Sequence, residues 1–245
     1  MTAPRTLLII PCYNEADSIG LLLTEIARLN LGYDTLVIDD GSNDHTADVA
    51  RALSPVVQMV SNLGIGGCVQ TGIKYAWNKG YDYCIQIDGD GQHPPKEIAK
   101  LVAQKNTADI IIGSRFESII SFKSTTMRRL GSRLIMLTLY ALFGGKLISD
   151  PTSGMRHMNR RVMELFARDY PQDFPEPISI ARALKCGLTV NVVAVQMRGR
   201  LNGVSSLKGL RKSISYMVRV LAYIVLACVQ KPPVSLSKID EVNND

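Results

Sequence analysis

The segment Tyr83-Cys84-Ile85-Gln86-Ile87-Asp88-Gly89-Asp90-Gly91-Gln92 ends an apolar run in two carboxylates two residues apart. Delivered from a strand, such a pair points to one side, where Asp88 and Asp90 are placed to share a hard divalent cation. Mg²⁺ or Mn²⁺ held there would bridge the two phosphates of a nucleoside diphosphate and offset the charge that grows as the attached group leaves. Gln92, two residues further on, supplies an oxygen to the same set. The competing account is a plain Asp-Gly hairpin turn. Against it, the loop leads into Pro94-Pro95 and a helical pattern, not into a partner strand.

A second acidic segment, Asp39-Asp40-Gly41-Ser42-Asn43-Asp44-His45-Thr46, is largely explained by turn formers and by Asp44 or Thr46 capping a helix. That leaves Asp39 and Asp40 as adjacent carboxylates at a strand end, able to accept from a base N–H or a ribose hydroxyl. Neither GxGxxG nor GxxxxGK[ST] is present, so a dinucleotide-binding fingerprint and a P-loop are both unsupported. The Gly-rich stretch Asn62 to Gly67 precedes a helix and is a weak signal by itself. His45, His93 and His157 are far apart without ligand spacing and read as surface or loop histidines, which argues against zinc.

These groups must be positioned by the elements around them. Apolar runs alternate with helical patterns through the first half, which argues for βα units and a mostly parallel sheet with helices on both faces. The pattern predicts strands at Thr6 to Pro11, Asp34 to Asp39, Val56 to Val60, Tyr83 to Asp88 and Asp109 to Gly113. It predicts helices at Ala16 to Leu29, Thr46 to Leu53, Gly67 to Lys79 and Pro95 to Lys105. In such sheets ligands bind beyond the carboxyl ends of the strands, where helix N-termini also point. Tyr13-Asn14-Glu15, Asp39-Asp40 and Asp88-Gly89-Asp90 all fall at those ends, so three acidic loops are expected around one crevice.

The 245 residues suffice for one substantial core, and 46% apolar with 20% charged residues is ordinary for a globular chain. The net charge of +6 is unevenly spread: residues 177–239 hold 10 Lys/Arg and no acid. Such a block fits phosphate groups of a substrate or of an anionic membrane surface. Nucleic acid is disfavoured, because interleaved aromatics and a recognisable binding motif are missing. Five cysteines without CxxC spacing read as free thiols in a reducing compartment. The four-residue apolar run near the start is too short for a signal peptide, which predicts a cytosolic protein. Arg128 to Phe143 and Ser213 to Gln230 read as helices with a basic start and an apolar body, each too short to span a bilayer. They suit either the membrane interface or the protein core. The expected organisation is a catalytic domain over residues 1–210, followed by a basic amphipathic helix and polar tail over 211–245.

Four motifs in order complete the pattern: Ile10-Pro11-Cys12-Tyr13-Asn14-Glu15, Val37-Ile38-Asp39-Asp40-Gly41-Ser42, Asp88-Gly89-Asp90-Gly91-Gln92-His93-Pro94-Pro95 and Gly113-Ser114-Arg115. The chain thereby resembles the family 2 inverting glycosyltransferases with the A-type nucleotide-sugar fold, most closely the dolichyl-phosphate-mannose-synthase-like branch, over roughly residues 5 to 210. The resemblance implies a nucleotide-diphosphate sugar as donor and a polyprenyl phosphate as acceptor, at the cytoplasmic membrane face. It implies nucleoside contacts from Pro11, Tyr13, Glu15 and Asp40, and a metal and diphosphate site at Asp88, Gly89, Asp90 and Gln92. Arg115 matches an arginine near the donor; Asp150 to Arg156 resembles the acceptor-side motif, with Asp150 and Arg156 as acceptor residues. Arg129 and Ser132 look like the pair that holds a lipid phosphate, and Arg200-x-x-Gly203-x-Ser205 resembles a loop that closes over the donor. Two positions depart from the pattern. The lysine usual after that serine is Ser206 here, leaving its phosphate contact to Lys208. Glu176 stands where relatives acting on sugar hydroxyls carry a general base, so a glycan hydroxyl is the alternative acceptor.

Overall fold

The computed structural model describes residues 4–116, 126–199 and 210–230. In chain order the elements are β1 (Thr6–Cys12), α1 (Ala16–Leu29), β2 (Asp34–Asp39), α2 (Thr46–Arg51), β3 (Val56–Gln58), α3 (Gly64–Asn78), β4 (Tyr83–Gln86), α4 (Ile98–Ala103), β5 (Ile110–Ser114), α5 (Thr126–Phe143), β6 (Arg156–Asn159), α6 (Arg160–Arg168), α7 (Pro175–Lys185), β7 (Val190–Ala194) and α8 (Leu210–Val229). The strands form one seven-stranded sheet in the order β3-β2-β1-β4-β6-β5-β7. Its pairs are parallel except those of β6, which runs antiparallel to both β4 and β5.

The unbroken apolar run of β1 has a direct cause. Leu7 and Ile9 enter one core and Leu8 and Ile10 the other, and a strand covered on both faces needs an apolar side chain at every position. One layer is built from α1, α2 and α4; the opposite layer carries α3 and α5 to α8. This is the A-type arrangement the motifs imply.

Several expected boundaries shift for local reasons. The helix expected over Pro95 to Lys105 begins as a 3₁₀ turn at Pro95–Glu97 and continues as α4; proline at the first helical position fits because its missing N–H is not needed there. The strand expected to reach Asp88 leaves regular pairing after Gln86, although Ile87 and Gly89 still donate to the Ile9 and Pro11 carbonyls of β1. Those two hydrogen bonds carry the chain straight into the acidic loop.

The helices α5 and α8 each bury one apolar face and expose another. Ile135 and Leu139 of α5 and Val220, Ile224 and Ala227 of α8 are buried in the core. Leu130, Leu134, Leu137, Tyr140, Val218, Tyr223, Leu226 and Val229 are exposed. Among the described residues no helix is long and apolar enough to cross a membrane. The α8 helix packs on α7 and α5, and Lys185 donates to the Cys228 carbonyl at 2.6 Å, so the C-terminal helix shares the core of the rest. All five cysteines are free, with Cys12, Cys68 and Cys84 buried.

Candidate active site

The three acidic loops do meet at the carboxyl edge of the sheet. Beyond β1 the chain turns through Asn14, whose φ of 54° is left-handed and suits an Asn. Its amide donates to Ser42 Oγ at 2.9 Å, and its side-chain oxygen accepts from Asn43 N–H at 2.9 Å. Glu15 N–H donates to Thr46 Oγ1 at 2.8 Å and Ala16 N–H to Asp44 at 3.2 Å. The second loop thus caps the start of α1. Burial pushes the Asp44 carboxyl up, but the Thr46 hydroxyl and the amides of Thr46 and Ala16 outweigh it and hold the group below the usual range.

Asp39 and Asp40 divide their roles. Asp40 accepts from Leu63 N–H at 2.8 Å, which draws the Gly-rich start of α3 over the end of β2. Burial raises its carboxyl, the Leu63 and Gly64 amides counter in part, and neighbouring Asp39 raises it further. Asp39 is fully buried; one oxygen accepts from the Ser42 hydroxyl while Oδ2 has no partner. A buried carboxylate oxygen without a donor is costly, and this one lies at the carboxyl end of β2. Tyr13 is 43% exposed beside it.

The Asp88–Gln92 loop is packed from two sides. A Cβ on Gly89 would lie 2.4 Å from Cys12 Sγ, and a Cβ on Gly154 would lie 2.6 Å from Asp88 Oδ1. Only glycine lets β1 and the Asp150–Gly154 loop approach so closely. Ser18, buried on α1, brings its hydroxyl within reach of Glu15 Oε2 at 2.8 Å and of the Gly89 carbonyl at 3.0 Å. It therefore joins the first loop to the third.

His93 is a correction to the sequence reading: it is buried, and its Nδ1 accepts from Asp88 N–H at 3.1 Å, so it braces this loop. His157 is likewise buried, on β6, while His45 is exposed as expected. Gln92, expected as an oxygen ligand, donates its backbone and side-chain amides to the two oxygens of Asp90 at 3.0 and 2.6 Å. A carboxylate so nearly buried needs donors, and Gln92 is the adjacent source.

The fit of a divalent cation can be judged from this geometry. Among the described residues no three His, Cys, Asp or Glu side chains gather into a cage. Mg²⁺-type sites commonly use one or two carboxylates and complete their coordination with substrate phosphates and water. Asp88, with its side chain 36% exposed and facing the Gly154 edge of the crevice, and Asp90, already oriented by Gln92, match that donor chemistry. These oxygens suit Mg²⁺ or Mn²⁺.

On the far side of the crevice Arg115 and Asp150 form a buried bidentate pair at 2.8 and 2.9 Å. Burial disfavours the guanidinium charge, but Asp150 first, then Asp88 and Glu176, more than restore it. Arg156 and Asp150, expected as acceptor residues, are buried and engaged with neighbouring groups. Arg156 is 1% exposed and donates to the carbonyls of Ser153, Pro151 and Glu176 and to Ser179 Oγ. It thereby pins the Asp150–Gly154 loop to the start of α7. Glu176 opens α7 after Phe174, whose φ is 47°. Burial pushes its carboxyl up, Arg156 pulls it down, Asp88 raises it and Arg115 lowers it, with a net rise. Ser132 is buried against the Ser149 carbonyl next to Asp150, and Arg129 is exposed one turn earlier on α5. Arg200 and Lys208 lie outside the described residues.

The sequence reading missed Ser18, His93 as a brace, and Gly154. A Ser one turn into a helix and a Gly in an irregular loop carry no chemical signal of their own, whereas His93, next to Asp88-Gly89-Asp90, was visible as a neighbour.

Known proteins share the sequence family and the fold. The model of "Glycosyl transferase family 2" matches residues 7–166. A polyprenol monophosphomannose synthase from Mycolicibacterium smegmatis is 31% identical over 217 residues, covering 84% of this chain and 82% of that protein. A UDP-N-acetylglucosamine--dolichyl-phosphate N-acetylglucosaminyltransferase from Methanococcus voltae is 25% identical, covering 86% and 92%. The solved structure of glucosyl-3-phosphoglycerate synthase from Mycobacterium tuberculosis, in complex with Mn²⁺, UDP and glucosyl-3-phosphoglycerate, superposes with a TM-score of 0.71 at 17% identity over 94% of this chain and 82% of that one. Three acidic loops at the carboxyl edge of an A-type sheet, and a family model matching most of the chain, lead to one assignment: this protein belongs to glycosyl transferase family 2.

Proposed function

We propose that the chain transfers a sugar, with inversion, from a nucleotide-diphosphate sugar to a polyprenyl phosphate at the cytoplasmic face of a membrane. The observation that carries this reading is that the loops bearing Asp39, Asp88 and Asp90 meet at adjacent strand ends, with Gly154 of the Asp150–Gly154 loop packed against Asp88. Two relatives named as lipid-phosphate sugar transferases, each aligned over more than four-fifths of both chains, support the acceptor class.

In this reading Tyr13 lies against the base, and Asp39 Oδ2 accepts from the nucleoside. Asp88 and Asp90 would hold a divalent cation, Mg²⁺ or Mn²⁺, together with the donor diphosphate, and the chemistry it would supply there is charge neutralisation at the leaving nucleoside diphosphate. Arg115, its guanidinium fixed by Asp150, adds positive field behind Asp88. Ser132 and Arg129 place the acceptor phosphate from α5. A phosphate is already anionic at neutral pH, so its oxygen attacks without a base, and the protein contributes positioning and charge stabilisation. The exposed apolar faces of α5 and α8, with Arg129, Arg133 and Arg219 exposed among them, lie in the headgroup layer where such a lipid resides.

A second reading has one specific observation in its favour. The carboxyl of Glu176 is raised by burial and faces Asp88 and Arg115, and a raised carboxyl is what a general base for a hydroxyl acceptor requires. The two separate in a competition experiment. Labelled UDP- and GDP-sugars are offered to the protein with polyprenyl phosphate in vesicles and a glycan primer together. The lipid reading expects labelled glycolipid, retained within about tenfold in Glu176→Gln, since no base is needed. Label confined to the primer, and lost in Glu176→Gln, establishes the hydroxyl reading instead.

A further inference from the structure

Beyond β7 the chain crosses the outside of the Asp88–Gln92 loop. Val195 N–H donates to the Ser114 carbonyl at 3.0 Å and Gln196 N–H to the buried Glu97 carboxylate at 3.0 Å. Arg198 N–H donates to the Gln92 carbonyl at 3.1 Å. The Arg198 side chain then folds back onto the loop: Nε donates to the Gly91 carbonyl at 2.6 Å and Nη2 to Glu25 on α1 at 2.6 Å. Gly91, at φ 73°, is where the loop reverses. Gln92 in turn gives both its amides to Asp90. An unbroken chain of hydrogen bonds therefore runs from Glu25 through Arg198 and the Gly91 and Gln92 backbone to the Asp90 carboxylate.

The magnitudes decide what this chain is for. The Arg198 and Glu25 side chains are 35% and 32% exposed, and an ion pair near the surface is worth little to folding. A planar guanidinium that engages two fixed acceptors sets direction as well as distance. What it fixes is the turn that orients Asp90. We infer that Arg198 is a positioning residue of the donor site: by pinning the Gly91 carbonyl its side chain holds the turn that presents Asp90 for a divalent cation with a nucleoside diphosphate, and Glu25 orients the guanidinium. This rests on the donor-site reading above. Lysine at this position keeps the charge but lacks the rigid planar fork that sets the direction of both contacts.

The test is a binding measurement. The full chain is titrated with Mn²⁺ at fixed UDP, and in a second series at fixed GDP, with free Mn²⁺ followed by electron paramagnetic resonance. Residues that support a metal site typically cost 10- to 100-fold in affinity, so Arg198→Ala weakens Mn²⁺ binding by about tenfold or more. Arg198→Lys recovers part of that, Glu25→Gln weakens binding less, and the double variant Glu25→Gln/Arg198→Ala is no weaker than Arg198→Ala. A merely structural residue would lower the melting temperature and leave the affinity of the folded protein unchanged. Wild-type binding that Arg198→Ala leaves unaltered overturns the inference alone. No Mn²⁺-dependent binding in the wild type with either nucleotide overturns the donor-site reading and the inference together. If Arg198→Ala does not fold, Arg198→Lys and Glu25→Gln carry the same test, and unchanged affinity in both overturns it.

Discussion

At the scale of single residues the crevice is a set of close approaches as much as a set of charges. Asp88 faces the backbone of Gly154, where a Cβ would intrude to 2.6 Å of the carboxylate. Gly154→Ala therefore displaces either Asp88 or the loop, and a misplacement on the ångström scale costs about 10²-fold in kcat/KM for sugar transfer. Wild-type kinetics in Gly154→Ala would show that the loop has room to spare. The placement of Asp88, Asp90 and Asp39 at the carboxyl edge of the sheet was legible in the sequence because each ends, or closely follows, an apolar strand run. The partners that orient them were less legible. The spacing did not show that Gln92 donates its amides to the nearly buried Asp90, nor that the Arg156 guanidinium binds the Ser153, Pro151 and Glu176 carbonyls. Sequence spacing reports which residues are near, not which way their hydrogen-bonding atoms point.

At the scale of elements the first half of the fold was readable throughout, and α1 and β2 fall where their patterns place them. The second half was readable at α5 and α8 but not at β6. Arg156–Asn159 has no apolar alternation, and it becomes a strand because β4 and β5 flank it and claim its backbone hydrogen bonds. Tertiary pairing overrides local pattern there. The helices α5 and α8 matched two readings because each has both a core stripe and an exposed apolar face. Interfacial binding scales with buried apolar area and with attraction to anionic lipid. Sedimentation with anionic vesicles is expected to retain the wild type and to lose Leu137→Asp/Val218→Asp, with binding weakened by added salt. Equal retention of both would remove these faces from membrane docking.

At the scale of the whole molecule, burial of titratable groups sets how the fold responds to acid. His157 sits inside the sheet against the Tyr83 ring with its Nδ1 unpartnered, and burial, then Lys105, lower its pKa from 6.5 to about 4. The unfolded chain binds this proton near pH 6.5 and the folded one only near pH 4, so stability is complete above the upper value and falls as pH drops between them. By linkage the loss is on the order of 3 kcal/mol. His157→Phe keeps the ring and removes the proton site. Its unfolding free energy is expected to decline less than that of the wild type between pH 6.5 and 4, and parallel declines would contradict the assignment. Sheet and site are coupled here, since β6 carries His157 between the strands that present Asp88 and Arg115.

The most direct measurement is transfer of labelled sugar from UDP- or GDP-sugars into organic-extractable polyprenyl phosphate, run side by side for the wild type and Asp88→Asn, with and without a chelator. Labelled glycolipid from the wild type with Mg²⁺ or Mn²⁺ is expected, reduced about 10²-fold or more in Asp88→Asn and under chelation. Glycolipid formed at the wild-type rate by Asp88→Asn, or by the chelated protein, would contradict the assignment of the acidic cluster as the donor site.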